Sequence, residues 1–329
     1  IRKTEDMMGP GIELPAALGT NVPPTNNTDM KTYGWELQIG WRDQIGDFKY
    51  GAKLSLSDSQ SKILRYGNPT GSLSKYVEGY LIGNIYGYTT IGIAKTDEEM
   101  QQHLASLPNG GQSALGSQWA AGDIMYADLN GDGKINNGSY TINDMGDMKK
   151  IGNSTPRFMT GINLDAAYKG WDLQMFWQGV LKRDWWPGDK NMTFWGVTDG
   201  EWWSTSFKEH LDYFRTSENP LGENLNSYYP RPIFNTKNNK SQTRYLQNAA
   251  YMRLKNIQVG YTFPKVWINK LMLQNLRIFV SGENLLTITS LSDTMDPETC
   301  GAGYQSTEQA NGTVYPLAKT ISFGLSVNF

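Results

Sequence analysis

The residues with the clearest chemical spacing are three oxygen-bearing side chains in one glycine-containing stretch. Asp128, Asn130 and Asp132 stand at alternating positions, and Gly133 follows them. Carboxylate and amide oxygens at this spacing match the first half of a calcium-binding loop, in which the glycine allows a sharp turn and the carbonyl of Lys134 is a further ligand. The stretch therefore predicts a Ca²⁺ site.

The closing ligand of this loop is ambiguous in the sequence. A calcium loop expects an acidic residue at position twelve, where this chain has Ser139. A carboxylate from Asp144 or Asp147 can serve after an insertion. A turn rich in Asp and Asn that holds no metal is the alternative interpretation.

A second group of functional candidates is a dense set of aromatic residues in the segment 181–243. Flat rings of this kind stack on sugars, but they also pack loop cores and contact protein partners. The tryptophans that we single out for contact with a ligand or a partner are Trp185, Trp186, Trp195, Trp202 and Trp203.

Signals for bond chemistry are weak. His103 and His210 are the two histidines of the chain, and neither belongs to a motif with a nucleophilic Cys or Ser. We interpret both as surface or packing residues. No paired acid and base stands out either, so we expect that the protein is not an enzyme.

The elements that must position these loops are strands with one apolar and one polar side. Successive side chains of a strand point to opposite faces, so strict alternation gives a two-faced ribbon. Such a ribbon with an aromatic last residue is typical of an outer-membrane barrel, which has lipid on one side and water on the other. The apolar set of the last strand is Ile321, Phe323, Leu325, Val327 and Phe329.

The same alternation recurs along the chain and predicts an all-β fold, a transmembrane antiparallel β-barrel. Residues 1–5 fit the end of a further strand, and Lys169–Gly170 fits a two-residue hairpin turn. The predicted strands lie near residues 31–42, 48–58, 157–168, 171–180, 248–263, 276–287 and 318–329.

One strand breaks the alternation. Arg253 and Lys255 have the parity of the apolar residues Ile257 and Val259. A cation on the lipid face near the middle of the membrane costs about 2–4 kcal/mol. We therefore predict a β-bulge near residues 254–256 that resets the parity. Two charges that snorkel from the strand end are the alternative.

Short turns alternate with long segments. Bacterial barrels have short turns in the periplasm and long loops outside. We therefore expect three long extracellular loops, over residues 59–155, 181–243 and 288–314. Within the first loop, Thr96-Asp-Glu-Glu99 is a capping box and predicts a short helix over Asp97–Ser106.

Composition excludes other classes. The chain has 30 Lys and Arg residues against 32 Asp and Glu, a formal net charge of -2, so no basic surface predicts nucleic-acid binding. Cys300 is the single cysteine, which excludes an intrachain disulfide. The chain opens on Ile1 without a signal peptide, and we expect it to be the later part of a longer precursor.

Seven motifs follow one another along almost the whole chain. The most characteristic is Asn248-Ala-Ala-Tyr-Met-Arg-Leu-Lys-Asn-Ile-Gln-Val-Gly-Tyr-Thr-Phe-Pro264. The others cover residues 31–37, 78–87, 122–128, 151–158, 178–184 and 280–285. In their order and spacing, the motifs make the chain resemble the C-terminal portion of the SusC-like (RagA/SusC) TonB-dependent transporters of the Gram-negative outer membrane.

The resemblance implies part of a large plugged barrel of the roughly 22-stranded class. It implies an active importer of oligosaccharides or oligopeptides that pairs with a SusD-like surface lipoprotein and is energised through TonB. The plug and the TonB box belong to the family's N-terminal half, which is absent from this chain. The resemblance also implies that Asp147 supplies the closing ligand of the calcium loop.

If lipid covers the apolar faces, the polar faces line a watery lumen. The predicted lumen-facing residues are Glu36, Gln38, Arg42, Lys49, Lys53, Asp165 and Gln174. Two alternatives stay open. One is a passive outer-membrane porin. The other is a secreted calcium-binding β-sandwich or adhesin module, in which the apolar faces form a buried core.

Overall fold

Strands dominate the computed structural model, which describes residues 1–9, 23–201, 204–300 and 317–329. In chain order the strands are β1 Arg2–Gly9, β2 Thr25–Ile45, β3 Phe48–Arg65, β4 Asn84–Tyr88, β5 Thr90–Ile93, β6 Ile124–Tyr126, β7 Met148–Asn153, β8 Arg157–Tyr168, β9 Trp171–Lys182, β10 Asp184–Trp185, β11 Gln247–Asn248, β12 Tyr251–Thr262, β13 Asn275–Thr289 and β14 Thr320–Asn328.

Helices are short and few. The α-helices are α1 Asp97–Ala105, α2 Met192–Trp195 and α3 Lys265–Ile268, and single 3-10 turns cover Gly196–Thr198, Lys208–Leu211, Lys237–Asn239 and Asn269–Leu271. In the part of the chain that the structure describes, no helix has the length and apolar character needed to cross a membrane.

One large antiparallel sheet organises the chain. Its eight strands lie in the order β1-β2-β3-β8-β9-β12-β13-β14, so each strand pairs with the one before it and the one after it in this series. The remaining strands pair two by two within the long loops. The predicted all-β antiparallel fold is confirmed, and the further strand predicted from residues 1–5 is β1.

Tight turns close one end of the sheet. Ile45 pairs with Phe48 across a two-residue turn, and Tyr168 pairs with Trp171 in the same way. In the second turn both Lys169 and Gly170 have positive φ, 45° and 91°. Two positive φ values define the type I′ turn, whose twist matches that of the flanking strands. We call this the turn end of the sheet and the opposite end the loop end.

Two strands run further than the alternation predicted. β2 covers Thr25–Ile45 rather than 31–42, and β3 reaches Arg65 rather than residue 58, so the first long loop begins later than expected. The ladder continues there with polar partners, such as the hydroxyls of Thr32 and Ser61 at 2.8 Å. The apolar alternation therefore covers only part of each strand.

The predicted bulge in β12 is confirmed. Leu254 pairs with Trp177 and Leu286, whereas Asn256 pairs with Phe176 and Glu283, so the register shifts around Lys255 on both sides of the strand. An extra residue turns the strand over by one position. The shift therefore sets Arg253 on the face opposite to Ile257.

The loops fold together at the loop end and share one hydrophobic core. Its buried members come from all three long loops and include Tyr88, Met100, Trp195, Tyr245 and Met295. We call this body the loop domain. The helix predicted by the capping box is confirmed as α1, with the Thr96 hydroxyl accepting the N–H of Glu99 at 3.2 Å.

Candidate functional site

The seven predicted lumen residues lie on one face of the large sheet. Directly paired residues of neighbouring strands share a face. One such row runs from Arg42 through Gly51 and Asp165 to Gln174. The other members follow the same parity in their strands, with Gln38 opposite Ser55 and Lys53 opposite Asn163. We call this surface the polar face; its assignment to a lumen stays a prediction.

Opposite charges meet across strands on the polar face. Arg42 Nη2 lies 3.4 Å from Asp165 Oδ1. Arg277 contacts Asp172 with both Nε and Nη2, at 3.0 and 2.6 Å. The second pair is the paired, fork-like geometry in which Arg binds a carboxylate most strongly. The polar face therefore carries charges of both signs in fixed positions.

The opposite face of the sheet is apolar and uncovered. Ile39 pairs with Leu54, and Leu54 pairs with Ile162, so aliphatic side chains form rows across the strands. Large side chains on this face are exposed, with Trp41 at 65% and Phe323 at 82%. Soluble monomers rarely expose apolar patches of this size. We call this surface the apolar face.

Aromatic rings gather on the apolar face at the turn end. Trp171 and Tyr261 have ring centres 5.0 Å apart, Tyr261 and Phe263 5.1 Å, and Phe263 and Trp267 6.4 Å. Outer-membrane barrels place such rings as a girdle where hydrocarbon meets the headgroups. The row lies where such a girdle is expected.

Charged residues tie the loop domain to the sheet beside the bulge. Arg253 is buried, and its Nη2 donates to both oxygens of Asp296 at 3.0 Å. Lys255 reaches Glu298, with Nζ 3.1 Å from Oε2. The two cations that broke the sequence pattern thus bind the segment that follows β13. Sequence reasoning noticed the cations but missed their partners, which lie 43 residues further along.

A buried charge cluster joins the first and second long loops. Asp123 has no exposed surface and accepts bonds from Arg231 Nε and Nη2, both at 2.8 Å. Lys237 Nζ lies 2.8 Å from the same carboxylate, and Asn238 Nδ2 donates to it at 2.9 Å. Nothing in the spacing of these residues predicts the cluster, because Asp123 lies more than 100 residues from its partners.

The protonation of this cluster follows from its surroundings. Burial raises the pKa of Asp123, but hydrogen bonds from Arg231, Lys237 and Asn238 outweigh burial and hold that pKa below its usual value. Burial lowers the pKa of Lys237. The carboxylate is therefore charged at neutral pH and fully paired.

The structure brings together three of the predicted calcium ligands. One carboxylate oxygen from each of Asp128, Asp132 and Asp147 lies within 4.8 Å of the others. Backbone N–H groups of Gly131 and Gly133 donate to Asp128 at 2.7 and 2.9 Å, and both glycines have positive φ. A sharp turn of this kind needs glycine. We call these three residues the carboxylate cluster.

The two other predicted ligands lie in the same loop and make local bonds. Asn130 Oδ1 accepts the N–H of Asp132 at 3.0 Å, and the N–H of Lys134 donates to Asp132 Oδ1 at 3.1 Å. Lys134 Nζ also lies 3.8 Å from Asp132 Oδ2. These bonds give the loop its shape.

The insertion in the loop separates the roles of Asp144 and Asp147. Asp147 is buried and accepts the N–H groups of Leu129 and Asn136, at 2.9 and 2.8 Å. Burial raises the pKa of Asp147. Asp144 instead binds the N–H and the hydroxyl of Ser139, at 2.8 and 2.9 Å. The geometry thus favours Asp147 as the closing carboxylate.

The tryptophan prediction needs correction. Trp195 is fully buried, with its Nε1 donating to the carbonyl of Gly188 at 2.8 Å, and Trp185 is 3% exposed. Both rings belong to the core of the loop domain, so contact with a ligand is wrong for them. Trp186 packs edge-on against Trp195 at 6.1 Å. Trp202 and Trp203 lie outside the described residues.

The histidines pack as predicted. His210 is buried, and its Nδ1 accepts the N–H of Phe207 at 2.9 Å, so its Nε2 carries the proton that faces the carbonyl of Phe194 at 3.1 Å. His103 Nε2 lies 3.1 Å from Gln112 Oε1. Burial lowers the pKa of both rings, which keeps them neutral.

Relatives match the chain from end to end. It is 28% identical to TonB-dependent receptor P3 of Formosa agariphila over 99% of the chain and 31% of that protein. It is 23% identical to TonB-dependent receptor P39 of the same organism over 100% of the chain and 33% of that protein. The chain thus spans about a third of the length of these relatives. No family model matches it.

Solved structures agree in fold. The RagAB peptide transporter covers 99% of the chain with a TM-score of 0.66 at 18% identity, and the chain covers 32% of it. The RagAB peptide importer in its open-open state gives a TM-score of 0.60 at 19% identity, with the same coverage of both chains. In sequence the chain is thus similar to about a third of two TonB-dependent receptors, and in fold to about a third of the RagAB transporter, which agrees with the SusC-like resemblance and with an outer-membrane β-barrel.

Proposed function

We propose that the chain supplies part of the wall and the outer loops of an active nutrient importer. The observation that carries the proposal is the two-faced sheet, whose apolar face suits lipid and whose polar face suits a watery passage. The names of the relatives of matching sequence, both TonB-dependent receptors, support energy coupling through TonB. In this proposal, the segment that contacts TonB lies outside this chain, in the family's N-terminal half.

The orientation that we propose has the turn end in the periplasm and the three long loops outside. The lengths of the connections support it, because two of the connections at the turn end need only two residues and the third spans residues 263–274, while the loops at the other end build a folded domain. Strands β1 and β14 are the edges of the described sheet. An open edge cannot lie in hydrocarbon, so these edges pair with further strands of a closed barrel.

The cargo in this proposal is an oligosaccharide or an oligopeptide. The burial of Trp185 and Trp195 removes the tryptophan argument for a glycan. One protein of similar fold is a peptide transporter, which supports the peptide class at the level of fold alone.

A SusD-like surface lipoprotein is the proposed partner at the outer mouth. The loop domain supports this, because it presents apolar side chains to solvent, among them Phe234 at 83% exposure, Leu221 and Leu211. Such residues on an otherwise polar surface are typical of protein contact sites. Purification of the tagged protein should retain a lipoprotein. The Phe234→Ser variant should lose that lipoprotein, which tests the contact.

We further propose that the carboxylate cluster holds a calcium ion in the loop domain. Hard oxygen ligands from Asp128, Asp132 and Asp147 suit Ca²⁺, with Asn130 and the Lys134 carbonyl as additional donors from the same loop. The ion neutralises three carboxylates that otherwise repel one another. Its role is to fix the fold of the first long loop.

Uptake by whole cells tests the central proposal. Cells in which this protein is the sole route for a labelled oligosaccharide or oligopeptide should lose uptake when a protonophore dissipates the proton-motive force. Deletion of TonB should have the same effect. Uptake that continues under both treatments would identify a passive porin. A purified protein that stays monomeric in buffer without detergent would instead identify a soluble adhesin module.

A further inference from the structure

A cavity of about 380 Å³ lies in the loop domain near the ends of β11 and β13. Several separate parts of the chain build it, among them α2 with Phe194. The 3-10 turn after Phe207 supplies Glu209, with Asp212 just beyond it, a later segment supplies Tyr228, Tyr229 and Gln247, and Ser292 comes from the segment after β13. The core tryptophans Trp185 and Trp195 are not part of its lining.

Two carboxylates without a cationic partner face this cavity. Glu209 Oε2 accepts the hydroxyl of Ser292 at 2.7 Å, and Asp212 Oδ1 accepts Asn224 Nδ2 at 2.8 Å. Among the described residues, neither carboxylate takes part in an ion pair, unlike Asp123, which two cations neutralise. Each carboxylate therefore keeps at least one further acceptor position.

Gln247 adds an acceptor to the lining. The Gln247 side chain makes its two hydrogen bonds through Nε2, which donates to the Tyr228 hydroxyl at 3.0 Å and to the Tyr245 carbonyl at 2.8 Å. Its Oε1 is left as an acceptor. The two carboxylates only accept hydrogen bonds, which suits a ligand group that donates them.

Aromatic rings complete the match to a cation. Tyr229 is buried and packs edge-on against Tyr228 at 4.8 Å. Burial, Tyr228 and the nearby charges of Glu209 and Asp212 raise the pKa of Tyr229, so its ring stays a neutral phenol in an acidic field. Arg244 lies over Tyr228 at 5.9 Å, but its Nε and Nη2 donate to the carbonyls of Tyr228 and Ser227.

We propose that this cavity binds a protonated amine carried by the imported cargo, held by Glu209 and Asp212 and packed against Tyr229. An ammonium group is a donor without acceptors, and aromatic rings with carboxylates are its usual partners. This inference rests on the proposed import function. The amine comes from a basic oligopeptide or from an oligomer of an amino sugar, since both carry the same group.

Calorimetry on the purified whole transporter in detergent tests the site with matched probes. Trilysine and the glucosamine trimer carry ammonium groups, and their fully N-acetylated forms do not. We expect at least one of the charged probes to bind and its acetylated form to bind about tenfold more weakly or worse, since a bond to a charged group contributes about 1.5–3 kcal/mol. The charged probe that binds identifies the source of the amine.

Two variants and a control assign the effect to the cavity. Glu209→Gln with Asp212→Asn should weaken the charged probe about tenfold or more and leave the melting temperature unchanged. Glu218→Gln, an exposed position in the same loop with the same change of charge, should bind like the wild type. If the double variant folds poorly, Asp212→Asn alone serves, because this side chain is exposed.

Three results would overturn the site: no binding of either charged probe, equal binding of the acetylated forms, or wild-type affinity in the double variant. The outcome is separate from that of the import proposal. Binding that depends on Glu209 and Asp212 in a protein whose uptake ignores a protonophore would keep the site and reject the active importer. Uptake that needs the proton-motive force, together with wild-type binding of the charged probe in the variants, would keep the active importer and reject the site.

Discussion

Two tryptophans show how differently the sheet and the loop domain are built. Trp41, on the apolar face of the sheet, is 65% exposed, whereas Trp195, in the loop domain, is fully buried. The rings are chemically the same, and the difference lies in the medium around each region. The loop domain buries its rings away from water in the ordinary way. The sheet turns its rings outward, which is stable when the surroundings are lipid.

Charged residues also differ in burial between the two regions. Arg42 and Asp165 form an ion pair on the polar face, where Arg42 is 82% exposed, while Asp123 is buried with its two cations. Exposed pairs contribute about 0–1 kcal/mol, but leaving one member of a buried pair alone costs about 3–5 kcal/mol. Each region therefore has its own sensitive residues: apolar positions in the sheet and buried charges in the loop domain.

The largest expected effect is in the loop domain. Asp123→Asn leaves Arg231 and the buried Lys237 without their carboxylate and should cost about 3–5 kcal/mol of the domain's stability. Hydrogen exchange should then rise in the loops and stay low in the sheet strands. Glu98→Gln, an exposed change in the same loop, is the matched control. Equal exchange in both regions would mean that they do not fold as separate bodies.

Acid should act on the same cluster. The depressed pKa of Asp123 contributes stability that is fully present above the unfolded-state pKa of about 3.9 and is lost as the pH falls through the lower folded-state value. We expect proteases active in acid to cut the loops below about pH 4, while circular dichroism still reports the sheet. The Asp123→Asn protein should lack this part of the pH dependence. A sheet that melts before the loops open would contradict the account.

The next effect is on the apolar face. Leu54→Arg puts a cation among Ile39 and Ile162 and should cost about 2–4 kcal/mol in urea unfolding from lipid bilayers. Ser55→Arg, one residue along on the polar face, should cost much less because water reaches it. The pair of variants is matched in charge and position. Equal losses would show that the two faces do not meet different media.

Calcium should stabilise the loop domain alone. Saturation at about 100 times the dissociation constant adds about 2.7 kcal/mol to a folded state that binds the ion. The loop transition should therefore move to higher temperature with Ca²⁺ and return with a chelator. Asp147→Asn should abolish the shift, whereas Asp144→Asn should keep it, because Asp144 binds Ser139 instead. A shift of the same size in the Asp147 variant would exclude this site.

The smallest expected effect is on the polar face. Arg42→Gln removes a solvent-exposed ion pair with Asp165 and should change the unfolding free energy by less than about 1 kcal/mol. Urea unfolding in detergent measures it, with Gln38→Asn as a neutral control on the same strand. A loss as large as that of Asp123→Asn would mean that this face is buried away from water.

The alternation of apolar and polar residues was enough to predict the sheet, because it is a local property of each strand. The strands, the turn at Lys169–Gly170 and the bulge near Lys255 could all be predicted from residues close in sequence. The strand ends of β2 and β3 could not, since hydrogen bonds continue where the apolar alternation stops. Local patterns thus locate the band of apolar residues better than they locate the ends of the strands.

Contacts between the loops could not be predicted from the sequence, because their partners lie far apart along the chain. Asp123 meets Arg231 and Lys237 only after both loops have folded, and no spacing rule connects residues so far apart. The density of tryptophan was informative, but it indicated a core at Trp185 and Trp195 rather than a ligand surface. For the carboxylate cluster, the motif predicted Asp128 and Asp132, and the family resemblance predicted Asp147.

Labelling of paired cysteines tests most directly which medium meets each face of the sheet. The native Cys300 is buried, and burial raises its pKa to about 11, so it should stay unreactive at neutral pH. Gln38→Cys and Ile39→Cys are adjacent in β2 and point to opposite faces. In the full protein in lipid vesicles, a water-soluble maleimide should label position 38 and spare position 39, which brominated acyl chains should contact instead. Labelling of position 39 from water with position 38 protected would contradict the account.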